Sequence, residues 1–332
     1  MNRVYATYES IDGRQWKRLA ETSSVATWWQ TEEAYLLFAS IPEYQTYVVS
    51  VAEDERLVGV CVIMQTNASN VLLRSFTRRA IVMGGLLIDD NISEAALRAL
   101  LTAVADKTQD AVYTEIRNLH DYSRWREVFE SVGWTYEPHL NVQVDTTNSH
   151  SAAARIGKHK QRRIGTSVRA GARVVENPTE KQAYDCYLLL RKLYTTRVRK
   201  PLPSWELFAT LYRHEACRFV LVENEGKIIG GSVCVLWPGK AIYEWYACGR
   251  DDARRTVSPA SLTKYAEIQM AGEQHIPLLD LMGAGTPDKP YGVRDFKAEF
   301  GGEIVEHGRW MLIHKQALYR LGKTGMHLLS LF

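Results

Sequence analysis

The chain has 332 residues, 46% hydrophobic and 24% charged, a balance of soluble globular proteins with room for two domains, which excludes a disordered chain. A formal net charge of +3 is too small to imply nucleic-acid binding by itself, so only local clustering carries that reading. No run approaches the roughly 18 apolar residues of a membrane span, and the first residues lack the apolar core of a secretory signal.

In chain order, "YQTYVVSVAE" (44–53) and "LVGVCVIMQ" (57–65) read as an antiparallel hairpin, and "RAIVMGGLLI" (79–88) as a third strand. Ser93 caps a helix with Ala96, Leu97, Leu100, Leu101 and Val104 on one face. "AVYTEIRN" (111–118) is a strand, Asp121 opens a helix that Gly133 stops, and "HLNVQVD" (139–145) alternates like a half-buried strand. The polar, small-residue stretch "TTNSHSAA" (146–153) is the best linker. A helix from Thr179 to about 197 and a second from Ser204 follow it.

"CRFVLVENEGKIIGGSVCVLW" (217–237) is another hairpin and "AIYEWYAC" (241–248) another third strand. Ser258 as N-cap and Pro259 at the first helical position open a helix over 258–274. "PLLDLMG" is a strand, "RDFKAEF" a short helix, and "GGEIVEHGRWMLIH" (301–314) a closing strand. The order of elements thus occurs twice, as two copies of one α/β unit. The expected domains are 1–150 and 151–315, with a final amphipathic helix over 316–332 packing back on the first.

Five widely spaced cysteines without a C-x-x-C read as reduced thiols in a cytoplasmic protein. Nine scattered histidines with no H-x-x-x-H pair give no metal site. The segment 155–174 holds Arg155, Lys158, Lys160, Arg162, Arg163, Arg169 and Arg173 and no carboxylate. Unbalanced cations repel one another, which points to a phosphate-bearing ligand in a groove where two domains meet. A second cluster, "TTRVRK" (195–200), sits near a helix C-terminus, where the macrodipole alone favours cations.

"VRDFKAEFGG" (293–302) closely resembles the C-terminal signature of the FemABX aminoacyltransferases. "WWQTEEAY" (28–35), "KQRRIGTSVRAGARV" (160–174), "TTRVRKPLPSWELFATLY" (195–212) and "SPASLTKYAEIQMA" (258–271) are similar to further elements of that family, in its order. The resemblance implies two tandem GNAT-like acyltransferase domains, each a mixed, mostly antiparallel sheet flanked by helices (α/β, or α+β). It also implies transfer of an aminoacyl group from charged tRNA to an amine on a UDP- or lipid-linked peptidoglycan precursor in the bacterial cytoplasm. Peripheral contact with the inner membrane face is a further expectation, and neither metal nor cofactor is implied. The long helical arm of some staphylococcal members has no room between residues 155 and 214.

Carried over, Lys297 would face the donor's 3′ end and the developing oxyanion, with Phe296 shaping that pocket. Thr195 and Arg197 would lie near the acceptor's diphosphate. Arg162, Arg163, Trp29, Tyr35, Tyr246 and Tyr291 would contact substrate, and Ser258, Gly283 and Gly285 would border the donor cleft. The chemistry suits these residue types: an amine attacking an ester builds a negative oxygen, which a fixed cation stabilises by about 3–4 kcal/mol. An ester is already activated, so positioning does much of the work and no nucleophilic residue is required. Asp280, Glu244 or the substrate itself remain open as the general base, and Asp280 also reads as a loop-capping carboxylate. Two alternatives stand beside this reading. One is an acyl-CoA-dependent GNAT transferase acting on an envelope saccharide or lipid, against which the absence of a Gly-rich pyrophosphate turn in "RRTVSPASL" counts. The other is a non-enzymatic RNA-binding protein.

Overall fold

The β-branched runs of the chain pair into two separate sheets. The computed structural model describes residues 4–7, 11–66, 78–250 and 256–322. The chain divides into two compact units, one of Met1–His139 with Glu306–Phe332, the other Leu140–Val305.

The first unit begins with β1 (Val4–Thr7), α1 (Gly13–Thr22), α2 (Glu32–Ala39), β2 (Tyr44–Glu53), β3 (Arg56–Thr66), β4 (Arg79–Gly84) and β5 (Leu87–Ile88). It continues with α3 (Glu94–Thr108), β6 (Tyr113–Asn118), α4 (Arg126–Ser131) and β7 (Thr135–Glu137). Ser93 caps α3 by accepting from the Ala96 N–H, and α3 buries Ala96, Leu97, Leu100, Leu101 and Val104 as its 3.6-residue period requires. Gly133, at φ +89°, ends the α4 region.

The second unit holds β8 (Leu140–Asp145), α5 (Ser149–Ala154), α6 (Lys158–Arg169), β9 (Arg173–Val175), α7 (Glu180–Leu193) and α8 (Trp205–Arg213). Then come β10 (Cys217–Asn224), β11 (Lys227–Trp237), β12 (Ala241–Gly249), α9 (Pro259–Glu273), β13 (Leu278–Gly283), α10 (Gly292–Ala298) and β14 (Glu303–Glu306). Thr179 opens α7 with a reciprocal capping box to Gln182. The chain then returns to the first unit as β15 (Arg309–Ile313), followed by a helix at 316–322.

The first sheet runs β1-β2-β3-β4-β6-β15-β7, with β5 on β3, and the second β14-β8-β13-β12-β11-β10-β9. In each, the strand enclosed by the last two of its own half comes from the other half of the chain. This moves the expected boundaries: they fall at 139/140 and 305/306, not at 150/151 and 315. Residues 140–145 belong to the second sheet because β8 pairs β13 from Leu278↔Asp145 onward, while His139 stays with the first unit. The expected linker at 146–153 lies inside the second unit, and from Ser149 onward it is α5.

The expected single strand over 301–314 is two strands in different sheets. Gly308 separates them at φ +64°, where a Cβ would lie 2.2 Å from the Tyr136 ring. Past that point Trp310 pairs with Ile116 and stacks on Phe129 at 4.4 Å, which holds β15 in the first core. The start of the expected tail helix also meets the first unit, through Tyr319 edge-on to Tyr113 at 5.5 Å. Residues 323–332 of that expectation lie outside the described residues.

The two units differ where chemistry would occur. In the first, parallel β4 and β6 stay paired from Arg79↔Tyr113 to Gly84↔Asn118. In the second, parallel β12 and β13 pair only at Ile242↔Leu279 and Tyr243↔Asp280, and beyond these the strands part.

Candidate active site

The parting of β12 and β13 begins at a local distortion of the chain. Asp280, fully buried, accepts the Met282 N–H at 2.6 Å and the Gln143 Nε2–H at 3.0 Å. This short turn puts Met282 at φ +61°, a left-handed conformation costly for a residue with a side chain. Burial pushes the Asp280 carboxyl up, opposed by those hydrogen bonds and by the nearby Lys297 charge. Asp280 therefore shapes the strand end, which is the loop-capping alternative read from sequence.

Past the distortion, the carbonyls of Leu281 and Gly283 receive Lys297 Nζ–H bonds at 2.5 and 3.0 Å. Lys297, on α10, is only 8% exposed. Burial first, and then the Lys264 charge, lowers its ammonium from 10.5 to about 8, against the pull of Asp280 and Glu267. The lysine thus neither points to open water nor sits in the apolar core; it is fixed to the parted end of β13. Gly285, at φ +77°, lies under the Tyr291 ring, where a Cβ would come within 3.0 Å of Cδ1. Tyr291 is 41% exposed and precedes α10, and Arg294 pins the intervening loop by donating to Thr286 O and Lys289 O. The structure thereby brings together Lys297, Phe296, Gly283, Gly285 and Tyr291.

The basic segment supplies a residue that the charge pattern did not single out. Lys160, 8% exposed, lies over the Phe296 ring at 4.3 Å and pairs with Glu299 at 3.2 Å. The Gly157 N–H also donates to Glu299 O at 2.8 Å, so α6 is attached to the element that carries Lys297. The segment's cations are not all unbalanced: Glu299 answers Lys160, and Glu223 answers Arg173 at 3.0 Å. Arg162 is exposed and Arg163 half-buried, and neither has an ion pair among the described residues.

Beneath the parted strands lies a buried charged group. Lys264 on α9 pairs with Glu244 on β12 and with Glu267 at 3.4 Å, and Ser232 Oγ–H donates to Glu267 at 2.5 Å. Glu244 is committed to this ion pair, which argues against it as a free general base. α9 is opened differently from expectation: Ser258 makes no capping bond, its hydroxyl turning to Ser261 Oγ and its N–H to Ser167 Oγ, each at 2.8 Å.

Thr195 and Arg197 occupy a π-helical turn (Tyr194–Val198), and both are exposed. Wide turns of this kind recur at functional sites. Tyr194 meets the Tyr246 ring at 6.2 Å, so the turn and the parted end of β12 share one aromatic cluster with Phe208 and Trp245. Two expected substrate contacts are placed elsewhere, in the first unit. Trp29 is 1% exposed, wedged between Trp28 and Phe38, and its size and apolarity are used for packing. Tyr35 is half-buried and leans on Trp16 at 6.1 Å.

Residues 155–297 match the family model described as an acetyltransferase (GNAT) domain. FemX superposes with a TM-score of 0.70 at 13% identity, over 95% of this chain and 99% of that one. The tandem GNAT protein of the clavulanic acid biosynthesis pathway gives 0.57 at 13% identity, over 94% and 99%. This is a tandem GNAT fold. The C-terminal domain of a protein described as a lysylphosphatidylglycerol synthetase of Agrobacterium fabrum shares it, with a TM-score of 0.56 at 11% identity over 94% and 95%. No curated protein matches the sequence. Within the tandem GNAT fold, the unit spanned by the acetyltransferase model is also the one whose parallel strands part.

Proposed function

We propose that the chain is an N-acyltransferase that moves an aminoacyl group from a charged tRNA to an amine on a UDP- or lipid-linked peptidoglycan precursor. The observation that carries this reading is the ammonium of Lys297, buried and fixed to two carbonyls just past the last β12–β13 pair. An ammonium has three protons. Two are committed to Leu281 and Gly283, which leaves one for the oxygen that turns negative when the amine attacks the ester carbonyl. Collapse of that tetrahedral species breaks the ester C–O bond; the amine's proton passes to the departing oxygen, which leaves as the ribose hydroxyl of the tRNA, and a new amide remains. Phe296 and Lys160 hold α10 while this occurs, and Thr195 and Arg197 take the acceptor's diphosphate.

The likeness to FemX and to the lysylphosphatidylglycerol synthetase domain supports an aminoacyl donor and an envelope acceptor. A CoA donor is favoured by the GNAT model and by the clavulanic acid pathway protein. The start of α9 suits its pyrophosphate poorly: Pro259 has no N–H, and that of Ser258 is taken by Ser167. Among the described residues no helix is long and apolar enough to cross a membrane.

The test is a transfer assay with charged tRNA and acyl-CoA as competing donors and UDP- and lipid-linked muropeptides as acceptors. Incorporation should require intact charged tRNA and be abolished by ribonuclease. Incorporation that resists ribonuclease and needs CoA overturns the donor assignment.

A further inference from the structure

We infer that the outer face of α6 is the surface on which the phosphodiester backbone of the donor RNA's acceptor arm lies. The inference rests on the donor reading above and extends it from the aminoacyl group to the body of the RNA. α6 buries Lys160, Ile164 and Ser167, which recur at helical spacing on one side. Its other side presents Lys158, Arg162 and Arg169 to solvent, with Arg163 half-buried beside them. Lys158 and Arg162 are four residues apart, adjacent on the helix surface, and neither has an ion pair among the described residues. Glu299, the carboxylate that reaches this helix, is spent on the buried Lys160.

Electrostatics of the helix itself make the arrangement unfavourable without an anion. The first turn contains Lys158, His159 and Lys160, no acidic residue, and an N-cap glycine without a side-chain bond. Positive side chains there add to the positive end of the macrodipole, the reverse of the distribution that stabilises a free helix. A polyanion crossing this face removes that penalty. Position then selects which polyanion. The helix is joined to the Lys297 element through Lys160 over Phe296, the Lys160–Glu299 pair and the Gly157–Glu299 bond. An ester carbonyl at Lys297 puts the 3′ end of its own RNA at the element to which this helix is joined. A membrane surface fits less well: such helices insert a broad apolar face, and here Ile164 is spent on the unit's own core, leaving Val168 exposed by itself.

The experiment compares two donors carrying the same aminoacyl group, full-length tRNA and a CCA trinucleotide, in the wild type and in Lys158→Gln/Arg169→Gln. Both positions are exposed, and removing a cation from the first turn offsets removing one from the last, so thermal unfolding should stay nearly unchanged. KM for charged tRNA should rise about tenfold or more, and the slope of log affinity against log salt should shrink by about 2. KM and kcat for the charged trinucleotide should not move. Equal KM for tRNA in both proteins overturns the inference while leaving the donor reading intact. An equal loss with both donors overturns it too, since the residues then act at the reacting end. If the variant loses only its retention on anionic lipid vesicles, the face is a membrane contact and the inference fails. If neither donor supports transfer by the wild type, the donor reading fails, and the inference falls with it.

Discussion

At Lys297, two opposed costs decide what substitution does. Burial lowers its ammonium to about 8, so below that pH the folded protein carries this cation but binds its proton more weakly than the unfolded chain does. A lysine whose folded value lies below its unfolded one costs stability while charged, and the cost fades as pH rises from about 8 toward 10.5. Lys297→Met removes that burden but strips the Leu281 and Gly283 carbonyls of their donor, at about 1–3 kcal/mol for the buried Leu281 and less for the exposed Gly283, which water reaches. The terms oppose, so the melting temperature should change by a few degrees while turnover falls about a hundredfold or more. The pH profile separates the two roles open to this side chain. If the charged form stabilises the oxyanion, kcat falls as pH rises through about 8, and in Lys297→Arg that limb disappears because a guanidinium does not titrate there. A limb that rises through the same pH and vanishes with the substitution assigns Lys297 as the base instead. The lysine itself was legible from its place between Phe296 and the Gly-Gly stop. Its partners were not, because Leu281 and Gly283 precede it by 16 and 14 residues and meet it only through the turn at Asp280. Trp29, packed at 1% exposure, meets the same limit: an aromatic run looks alike whether it lines a site or fills a core.

At the scale of elements, the buried group on α9 and β12 explains how the strands part without the sheet falling open. Glu244, Lys264, Glu267 and Ser232 are all buried, so each charge needs its partner. Removing one side of such a pair typically costs about 3–5 kcal/mol, because the other charge is left in a poor solvent. Lys264→Met strands two carboxylates and should lower the melting temperature by roughly 6 °C or more. Lys264→Met/Glu244→Gln restores part of the balance and should recover a measurable share of that loss. Calorimetric values that simply add would show that the pair is not coupled. Nothing in the sequence pairs Glu244 with Lys264, since 20 residues and a change of element type separate them. The basic segment shows the same limit. Its excess of cations was visible, but Glu299, which turns Lys160 inward, comes from the far end of the unit. The helices themselves were readable, because caps such as Ser93 and Thr179 act within one turn.

For the whole molecule, the duplicated order of elements was legible because each copy repeats the same local patterns of hairpin, helix and strand. The exchange of a strand between the halves was not, since pairing partners are chosen by long-range contacts that alternation does not encode. That exchange makes a strong prediction about where the chain can be cut. β7 has β15 as its sheet neighbour, and β15 also completes the edge of β6 and brings Trp310 onto Phe129. A chain ending at Val305 therefore lacks an interior strand of the first sheet, while from the second it loses only the last residue of the edge strand β14. In limited proteolysis it should lose the region before residue 139 quickly and leave a resistant fragment that starts near Leu140. The complementary cut after residue 150, the boundary that composition suggests, carries β8 away from β13 and exposes Val142 and Val144 on an unpaired strand. Such an edge is a template for aggregation, so that fragment should be recovered mainly as insoluble material. If the chain ending at Val305 instead resists protease as evenly as the intact protein, β15 is dispensable and the two halves fold independently of the strands they exchange.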